Sequence, residues 1–165
     1  MKRNIVQVGD AVLREKAQDI PIESITSAEI QTLIADMQET LSDTKTGVAL
    51  AAPQVGVSLR LFIVAPRAFE ESAEQKRVYI NPVITKRSRS TEDMDEGCLS
   101  VDGTYGSVRR FEKVTIEAYD ETGQKFTRGA SGLLAQIFQH EVDHLDGTLY
   151  IDKAKTVRDV PKDND

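Results

Sequence analysis

Residues 133–145 of the chain read LLAQIFQHEVDHL and contain the pattern His-Glu-x-x-His. On a helix, residues four apart lie one turn above each other, so His140 and His144 could bind a single metal ion, with Glu141 beside it. The segment contains neither Gly nor Pro, and Asp146-Gly147 is a typical left-handed stop after a helix. The spacing therefore predicts a helix that carries a metal site.

His140 and His144 are the only histidines in the chain, and they share their predicted helix face with Leu133 and Ile137. Because that face is apolar, we expect it to be buried. A buried imidazole costs free energy unless its nitrogens find partners, and a metal would satisfy one nitrogen of each ring. The alternative is a structural helix that happens to carry two histidines. The predicted burial of both rings favours the metal site.

The composition is that of one globular domain. With 165 residues, 39% of them hydrophobic, the chain can bury one modest core. We expect a single catalytic domain over residues 1–165, with a loosely ordered polar tail at 152–165. No apolar run approaches the roughly 20 residues of a membrane helix, and no signal-like segment follows the N-terminus. The sequence therefore predicts a cytoplasmic location without membrane contact.

The charge balance limits the class of partner. A formal net charge of -6 argues against binding through nucleic-acid phosphates, and we expect no sequence-specific nucleic-acid partner. Lys86, Arg87 and Arg89 are a local exception. We interpret them as the solvated edge of a strand.

The rest of the chain alternates between predicted strands and one further helix. A helix with a single apolar stripe begins near Thr26 and is expected to pack on the core. The acidic segment 91–95 is predicted to be irregular. The predicted strands are residues 59–65, 78–81, 83–90, 108–119 and 124–129.

Cys98 is the candidate for a third metal ligand. A thiolate is a good donor to a borderline-soft divalent metal, although a lone cysteine is also often a small buried hydrophobe. Zinc peptidases with this helix motif commonly take the third ligand from a downstream Glu or His, but no histidine follows His144. Three protein ligands leave one position for water, whose proton Glu141 could accept. Gln54 and the Leu99 amide are candidate donors to a developing oxyanion.

Three motifs, in this order along the chain, resemble those of the peptide deformylase family. They are residues 47–54 (GVALAAPQ), 96–100 (EGCLS) and 139–144 (QHEVDH), and the resemblance extends over about residues 4–151. It implies an α+β fold in which mostly antiparallel sheets pack around a central C-terminal helix. It also implies a hydrolase that removes the N-formyl group from the formyl-methionine of newly made proteins and releases formate.

The resemblance also implies roles for individual residues. Cys98, His140 and His144 would bind the metal, and Glu141 would be the general acid and base. The metal would be Fe(II), which Zn, Ni or Co can replace. The remaining implied site residues are Gln54 and Leu99 for the formyl oxygen, Gly47, Val48, Ala49, Gly97, Leu133 and Ile137 for the substrate, and Glu96 with Arg110 as a structural ion pair.

The implied partners are N-formyl-methionyl peptides of nascent chains. Many bacterial relatives end in a helix that contacts the ribosome, and the short polar tail here argues against that contact. The chain departs from the family pattern at Ala49, where glycine is usual, at Asp102, where proline is common, and at Gln136, which is apolar in some relatives. Two other functions stay open, a metallopeptidase or amidase of another specificity and an inactive metal-binding family member.

Overall fold

The computed structural model describes residues 1–69 and 75–160. The helices are α1 (Ala28–Ser42), α2 (Gly132–Leu145) and α3 (Tyr150–Lys153), and the strands are β1 (Ala49–Ala51), β2 (Leu61–Val64), β3 (Val78–Arg87), β4 (Thr91–Cys98), β5 (Val101–Phe111), β6 (Lys113–Tyr119), β7 (Lys125–Ser131) and β8 (Thr156–Asp159). All pairs between these strands are antiparallel. They form a five-stranded sheet in the order β1-β2-β3-β6-β7 and a three-stranded sheet in the order β4-β5-β8.

The five-stranded sheet is covered on both faces. Along β2, Leu61 and Ile63 pack with the buried stripe of α1, whereas Phe62 and Val64 pack with α2. Side chains alternate between the two faces of a strand, so a continuous apolar run such as this one is typical of a strand buried on both sides. The helix α1 begins after Ser27, whose hydroxyl accepts a hydrogen bond from the Ile30 amide. These features confirm the predicted amphipathic helix.

The helix α2 lies at the centre of the molecule and contacts strands of both sheets. Phe138 is fully buried against the stacked rings of Phe62 and Tyr79, whose centroids lie 4.7 Å apart. After α2, Gly147 has a φ of 78°, which is favourable only for glycine and ends the helix where the sequence predicted. The architecture agrees with the expected α+β fold around a C-terminal helix.

The acidic segment 91–95 is part of the regular strand β4, so the prediction of irregular structure was wrong. Asp93 pairs with Arg109 on β5 and with Lys155, and Asp95 pairs with Arg158 on β8. Cross-strand ion pairs of this kind stabilise a strand that has no apolar face. The apolar alternation used to predict strands is therefore absent from this one.

The tail also differs from the expectation of a loosely ordered segment. Residues 156–159 form β8, which pairs with β5, and the main-chain N–H of Val160 donates to the carbonyl oxygen of Gly103. The four side chains of β8 are exposed, so main-chain hydrogen bonds rather than burial hold the strand. The predicted tail residues 161–165 lie outside the described part of the chain. None of the helices in the described part is long and apolar enough to cross a membrane.

Candidate metal centre and active-site cleft

The three predicted metal ligands lie on two elements that meet in the molecule. Cys98 ends β4 and pairs with Val101 across the two-residue turn that leads into β5. His140 and His144 lie one turn apart on α2, with ring centroids 4.9 Å apart. The Sγ atom of Cys98 lies 3.2 Å from Nε2 of His144, and one ligand atom from each of the three side chains lies within 4.8 Å of the others. The hairpin thus brings a cysteine to two histidines more than forty positions away.

The surroundings of these side chains fit a metal ion. The His144 ring is buried, and its Nδ1 atom has no hydrogen-bond partner among the described residues. The Sγ atom of Cys98 accepts hydrogen bonds at 3.5 Å from the Gln54 side chain and from the Ser100 main-chain N–H. Cysteine binds metals as the thiolate. A thiolate with two imidazoles suits a borderline-soft divalent ion.

A buried ion pair holds His140 in place. Glu96 accepts two hydrogen bonds from Arg110, at 2.6 and 2.7 Å, and its Oε1 atom lies 2.8 Å from Nδ1 of His140. Arg110 also donates to Asp143 at 2.7 Å. Burial by itself would raise the pKa of Glu96, but the hydrogen bonds from Arg110 and His140 outweigh it and lower that pKa to about 2. The carboxylate is therefore charged and directs Nε2 of His140 toward the other ligands.

The Glu96–Arg110 pair was predicted, but its contact with His140 was not. Residues two apart on a strand point to the same face. The spacing of Glu96 and Cys98 therefore predicts that both side chains approach the same helix. The prediction of an irregular segment 91–95 conceals this relationship, because it leaves Glu96 and Cys98 outside any strand. The register shift in β4 between Glu96 and Cys98 also means that the period of two is not strict there.

Glu141 lies beside the ligands and faces the same cleft. It is buried, and its Oε2 atom has no hydrogen-bond partner within residues 1–69 and 75–160. Burial is the largest cause that raises the pKa of Glu141 to about 7. A carboxyl group with this pKa can accept a proton and release it again near neutral pH.

The cleft that contains these groups has a volume of about 330 Å³. Of the twelve predicted site residues, all except His144 line it: Gly47, Val48, Ala49, Gln54, Gly97, Cys98, Leu99, Leu133, Ile137, His140 and Glu141. Ile137 is buried as predicted, but Leu133 is 50% exposed, so the expected burial of the whole helix face was wrong at this residue. Leu133 lies in the first turn of α2, where the helix emerges from the protein.

Gln54 is fixed by contacts at both ends of its amide. It lies in a 3-10 turn, Ala52–Val55, directly after β1. Its Oε1 atom accepts the Ala51 main-chain N–H at 2.9 Å, and its Nε2 atom donates to the Ser100 hydroxyl at 3.1 Å. The side chain is almost fully buried, so both contacts matter for its position. The amide nitrogen is thereby held next to the sulfur of Cys98.

All three departures from the family pattern, Ala49, Asp102 and Gln136, line the cleft. Gln136 donates a hydrogen bond at 2.8 Å to the carbonyl oxygen of Asp95, so this polar residue connects α2 to β4. Ala49 lies in β1 and is buried.

Tyr105 also lines the cleft, although no sequence pattern indicated it. A Cβ atom at Gly97 would lie 2.8 Å from the Tyr105 ring, so this ring leaves no room for a side chain at Gly97.

Known proteins resemble this chain over almost its whole length. The family model described as polypeptide deformylase matches residues 2–160. A peptide deformylase of Symbiobacterium thermophilum is 47% identical over 161 residues, which are 98% of this chain and 70% of that protein. The peptide deformylase 1A of Solanum lycopersicum, named as chloroplastic, is 42% identical, and the match covers 91% of this chain but only 58% of that longer protein.

The fold has close solved counterparts. The crystal structure of a peptide deformylase from Legionella pneumophila superimposes with a TM-score of 0.85 at 41% sequence identity, over 94% of this chain and 87% of that one. Fold, motifs and sequence similarity therefore agree over nearly the whole described chain. The chain belongs to the polypeptide deformylase family, the metal-dependent hydrolases that remove the N-formyl group from the N-terminal methionine of nascent chains.

Proposed function

We propose that Cys98, His140 and His144 bind one divalent metal ion and that the deformylation reaction takes place in the cleft beside it. The observation that carries this proposal is the 3.2 Å approach of Cys98 Sγ to His144 Nε2, between side chains of two different elements. We further propose Fe(II) as the resident metal, with Zn, Ni or Co able to replace it. Because Fe(II) binds such a donor set more weakly than Zn, metal supply rather than affinity would decide which ion is present.

Bound there, the metal would act as a Lewis acid and make a water molecule acidic enough to attack a carbonyl carbon. Glu141 would accept the proton of this water on its unpartnered Oε2 atom. It would then donate that proton to the nitrogen of the departing methionine amine. The pKa of about 7 suits both transfers, because neither protonation state of Glu141 is strongly favoured at neutral pH.

Gln54 and Leu99 are proposed to stabilise the negative charge that develops on the formyl oxygen. The Gln54 amide is held in place by Ala51 and Ser100, and the N–H that points to the Cys98 sulfur would donate to the formyl oxygen instead. Preorganised donors of this kind lower a reaction barrier, and loss of one typically costs about 3 to 4 kcal/mol. The second donor would be the main-chain N–H of Leu99.

The substrate is proposed to lie in the cleft as an additional extended strand. The main chain of residues 47–49 and of Gly97 would pair with the peptide backbone. Ile137, Val48 and Leu133 would surround the methionine side chain, with the exposed Leu133 at the outer end. A pocket built this way would recognise the methionine through apolar contact alone.

Other predictions from the sequence stay proposals. They are a single domain over residues 1–165, a cytoplasmic location, a short polar tail that does not provide the ribosome contact made by the C-terminal helix of many relatives, and the absence of a sequence-specific nucleic-acid partner. The tomato relative is named as chloroplastic, so location differs within the family.

The proposed function is tested with matched peptides and one variant. The metal-loaded protein should release formate from formyl-Met-Ala-Ser and should not cleave Met-Ala-Ser. Glu141→Gln should keep the metal and lose about a thousandfold in kcat, which is the middle of the 10²–10⁴-fold range of general acid and base catalysis. Cleavage of the unformylated peptide would instead indicate a metallopeptidase, and full activity of Glu141→Gln would contradict the assigned proton transfer.

A further inference from the structure

A second concave surface lies on the five-stranded sheet and shares no residue with the active-site cleft. We call it the basic groove. It has a volume of about 690 Å³ and lies where β3, β6 and β7 meet the first turn of α2. Its lining consists of Lys86, Arg87, Ser88, Lys113, Val114, Thr115, Arg128, Gly129, Ala130, Ser131 and Leu134.

The groove concentrates positive charge in an otherwise acidic protein. Four of its lining residues are cations, and no Asp or Glu is among the described residues that line it. Lys86 and Arg87 pair across the sheet with Thr115 and Val114 of β6, so cations from three strands converge. Among the described residues, none of these four cations forms an ion pair with a carboxylate. The protein as a whole carries a formal charge of -6, so the groove is a positively charged patch on a negatively charged protein.

Two of the cations are held in place by aromatic rings. The guanidinium of Arg87 lies 5.7 Å from the ring centroid of Phe111, and that of Arg128 lies 5.2 Å from the ring centroid of Phe69. The Arg87 guanidinium, placed over a ring, keeps its N–H groups for contact with a phosphate, whereas the Arg128 side chain also hydrogen-bonds Tyr79. Ordering these side chains in advance lowers the entropy lost when an anion binds.

The first turn of α2 adds further donors. Ser131 begins the 14-residue helix without a hydrogen bond from its side chain to the helix amides, and it lines the groove. The amides at the start of a helix point toward an approaching anion, and the helix dipole favours negative charge there. The helix amides and the four cations would therefore all attract an anion to the groove.

We propose that the basic groove binds the sugar–phosphate backbone of double-helical RNA. A single strand would need exposed aromatic rings for its bases. Among the described residues that line the groove none is aromatic, and the two rings nearby already lie under guanidinium groups. A protein partner would need apolar or aromatic anchors, and the apolar lining residues Val114, Ala130 and Leu134 are buried or half-buried. The choice of RNA rests on the proposed function, since nascent chains emerge from an RNA-containing machine.

This proposal revises the interpretation of Lys86 and Arg87 as a merely solvated edge, whereas Arg89 does not line the groove. It does not require sequence-specific recognition, because all contacts would be made to phosphates. Neutralising three to four phosphates predicts a slope of log K against log salt concentration of about -3 to -4. Binding would therefore be strong in 50 mM salt and much weaker in 200 mM salt.

The test titrates a fluorescently labelled 20-base-pair RNA duplex with the intact protein at several salt concentrations. The variant Lys86→Glu with Lys113→Glu removes two exposed lysines from the groove. The control, Lys16→Glu with Arg77→Glu, changes the net charge equally at exposed positions outside it. We expect the groove variant to bind the duplex at least tenfold more weakly. The magnitude of its slope of log K against log salt concentration should be smaller by about 2. The control should change affinity less than twofold.

Hydrolysis of a short formyl-Met peptide is measured on the same samples. It should be unchanged in both variants, so that failure of RNA binding and failure of the proposed function are separate results. Equal loss of RNA affinity in the two variants would overturn the proposal, as would no binding in 50 mM salt. Loss of poly-glutamate binding by the groove variant, with RNA binding intact, would assign the groove to an acidic protein and overturn it as well.

Discussion

The Oε1 atom of Glu96 lies 2.8 Å from Nδ1 of His140, while both oxygens of the same carboxylate accept hydrogen bonds from Arg110. One buried carboxylate therefore connects a strand, a guanidinium and a proposed metal ligand. Partners of this kind fix the orientation of a ligating imidazole and raise its basicity. In the proposed centre, Glu96 would act on metal binding through His140, without touching the substrate.

Glu96→Gln is expected to weaken metal binding. The amide no longer supplies a charged acceptor to His140, so affinity should fall about 10- to 100-fold. The substitution also leaves Arg110 with only Asp143 as a charged partner, and the free energy of unfolding should fall by about 3 kcal/mol. Chelator competition measures the first effect and urea denaturation the second.

Glu92→Gln is the matched control, because Glu92 lies on the same strand but is exposed. It should leave both quantities almost unchanged. If Glu96→Gln lowered stability but kept full metal affinity, the carboxylate would have a purely structural role.

Gln54→Leu is expected to lower kcat about 10²- to 10³-fold, with KM changed little. The reason is that the proposed contact with the formyl oxygen strengthens only as charge develops. The metal content should stay the same. Ser100→Ala, which removes a hydrogen-bond partner of Gln54 but leaves its amide in place, should lower kcat less than tenfold. A KM effect without a kcat effect would place Gln54 in ground-state binding instead.

Leu133 and Ile137 allow a comparison of an exposed and a buried residue in the same proposed pocket. Ile137→Ala should lower the free energy of unfolding by about 2 to 4 kcal/mol, because it leaves a cavity in the core. Leu133→Ala should change it by less than about 0.5 kcal/mol, since the side chain is half in solvent already. Both should lower kcat/KM for formyl-Met peptides, by about three- to tenfold for Leu133→Ala. Unchanged kcat/KM in Leu133→Ala would remove this residue from the methionine pocket.

Asp120 gives the stability of the protein a defined pH dependence. Its carboxylate accepts hydrogen bonds from Thr122, Gln124 and Lys76 in the turn between β6 and β7. Burial alone would raise the pKa of Asp120, but the Lys76 and turn contacts lower it from 3.8 to about 2. A lowered pKa stabilises the fold above pH 3.8, and this contribution is lost as the pH falls through about 2.

Asp120→Asn should therefore be less stable than the parent protein by about 1 to 2 kcal/mol at pH 7. The difference should shrink steadily below about pH 4. Urea denaturation at a series of pH values measures it, with Glu121→Gln in the same turn as an exposed control. If the difference in the free energy of unfolding stayed constant down to pH 2, Asp120 would stabilise the turn through its shape rather than its charge.

The parts of the fold that depend on apolar periodicity could be predicted from the sequence. Both long helices and the buried strand β2 follow from patterns of Leu, Ile, Val and Phe, and the end of α2 follows from the Asp146-Gly147 stop. The approach of Cys98 to the two histidines was predicted from chemistry, because two imidazoles on a helix need a further ligand for a catalytic metal.

The parts that depend on charge and on long-range pairing could not be predicted in this way. The strand β4 is stabilised through Asp93 and Asp95, whose partners lie on β5, on β8 and just before β8. The strand β8 itself has four exposed side chains, so no hydropathy pattern marks it. The basic groove likewise combines Lys86 with Lys113 and Arg128, which only strand pairing brings together.

The most direct measurement is the absorption spectrum of the protein loaded with one equivalent of Co(II), compared with that of Cys98→Ser. A metal held by one thiolate and two imidazoles should give a sulfur-to-cobalt charge-transfer band in the parent protein. Cys98→Ser should lose this band and bind the metal more weakly. If the parent protein bound cobalt without a charge-transfer band, or if Cys98→Ser kept the parent spectrum, Cys98 would not be a ligand and the proposed centre would be wrong.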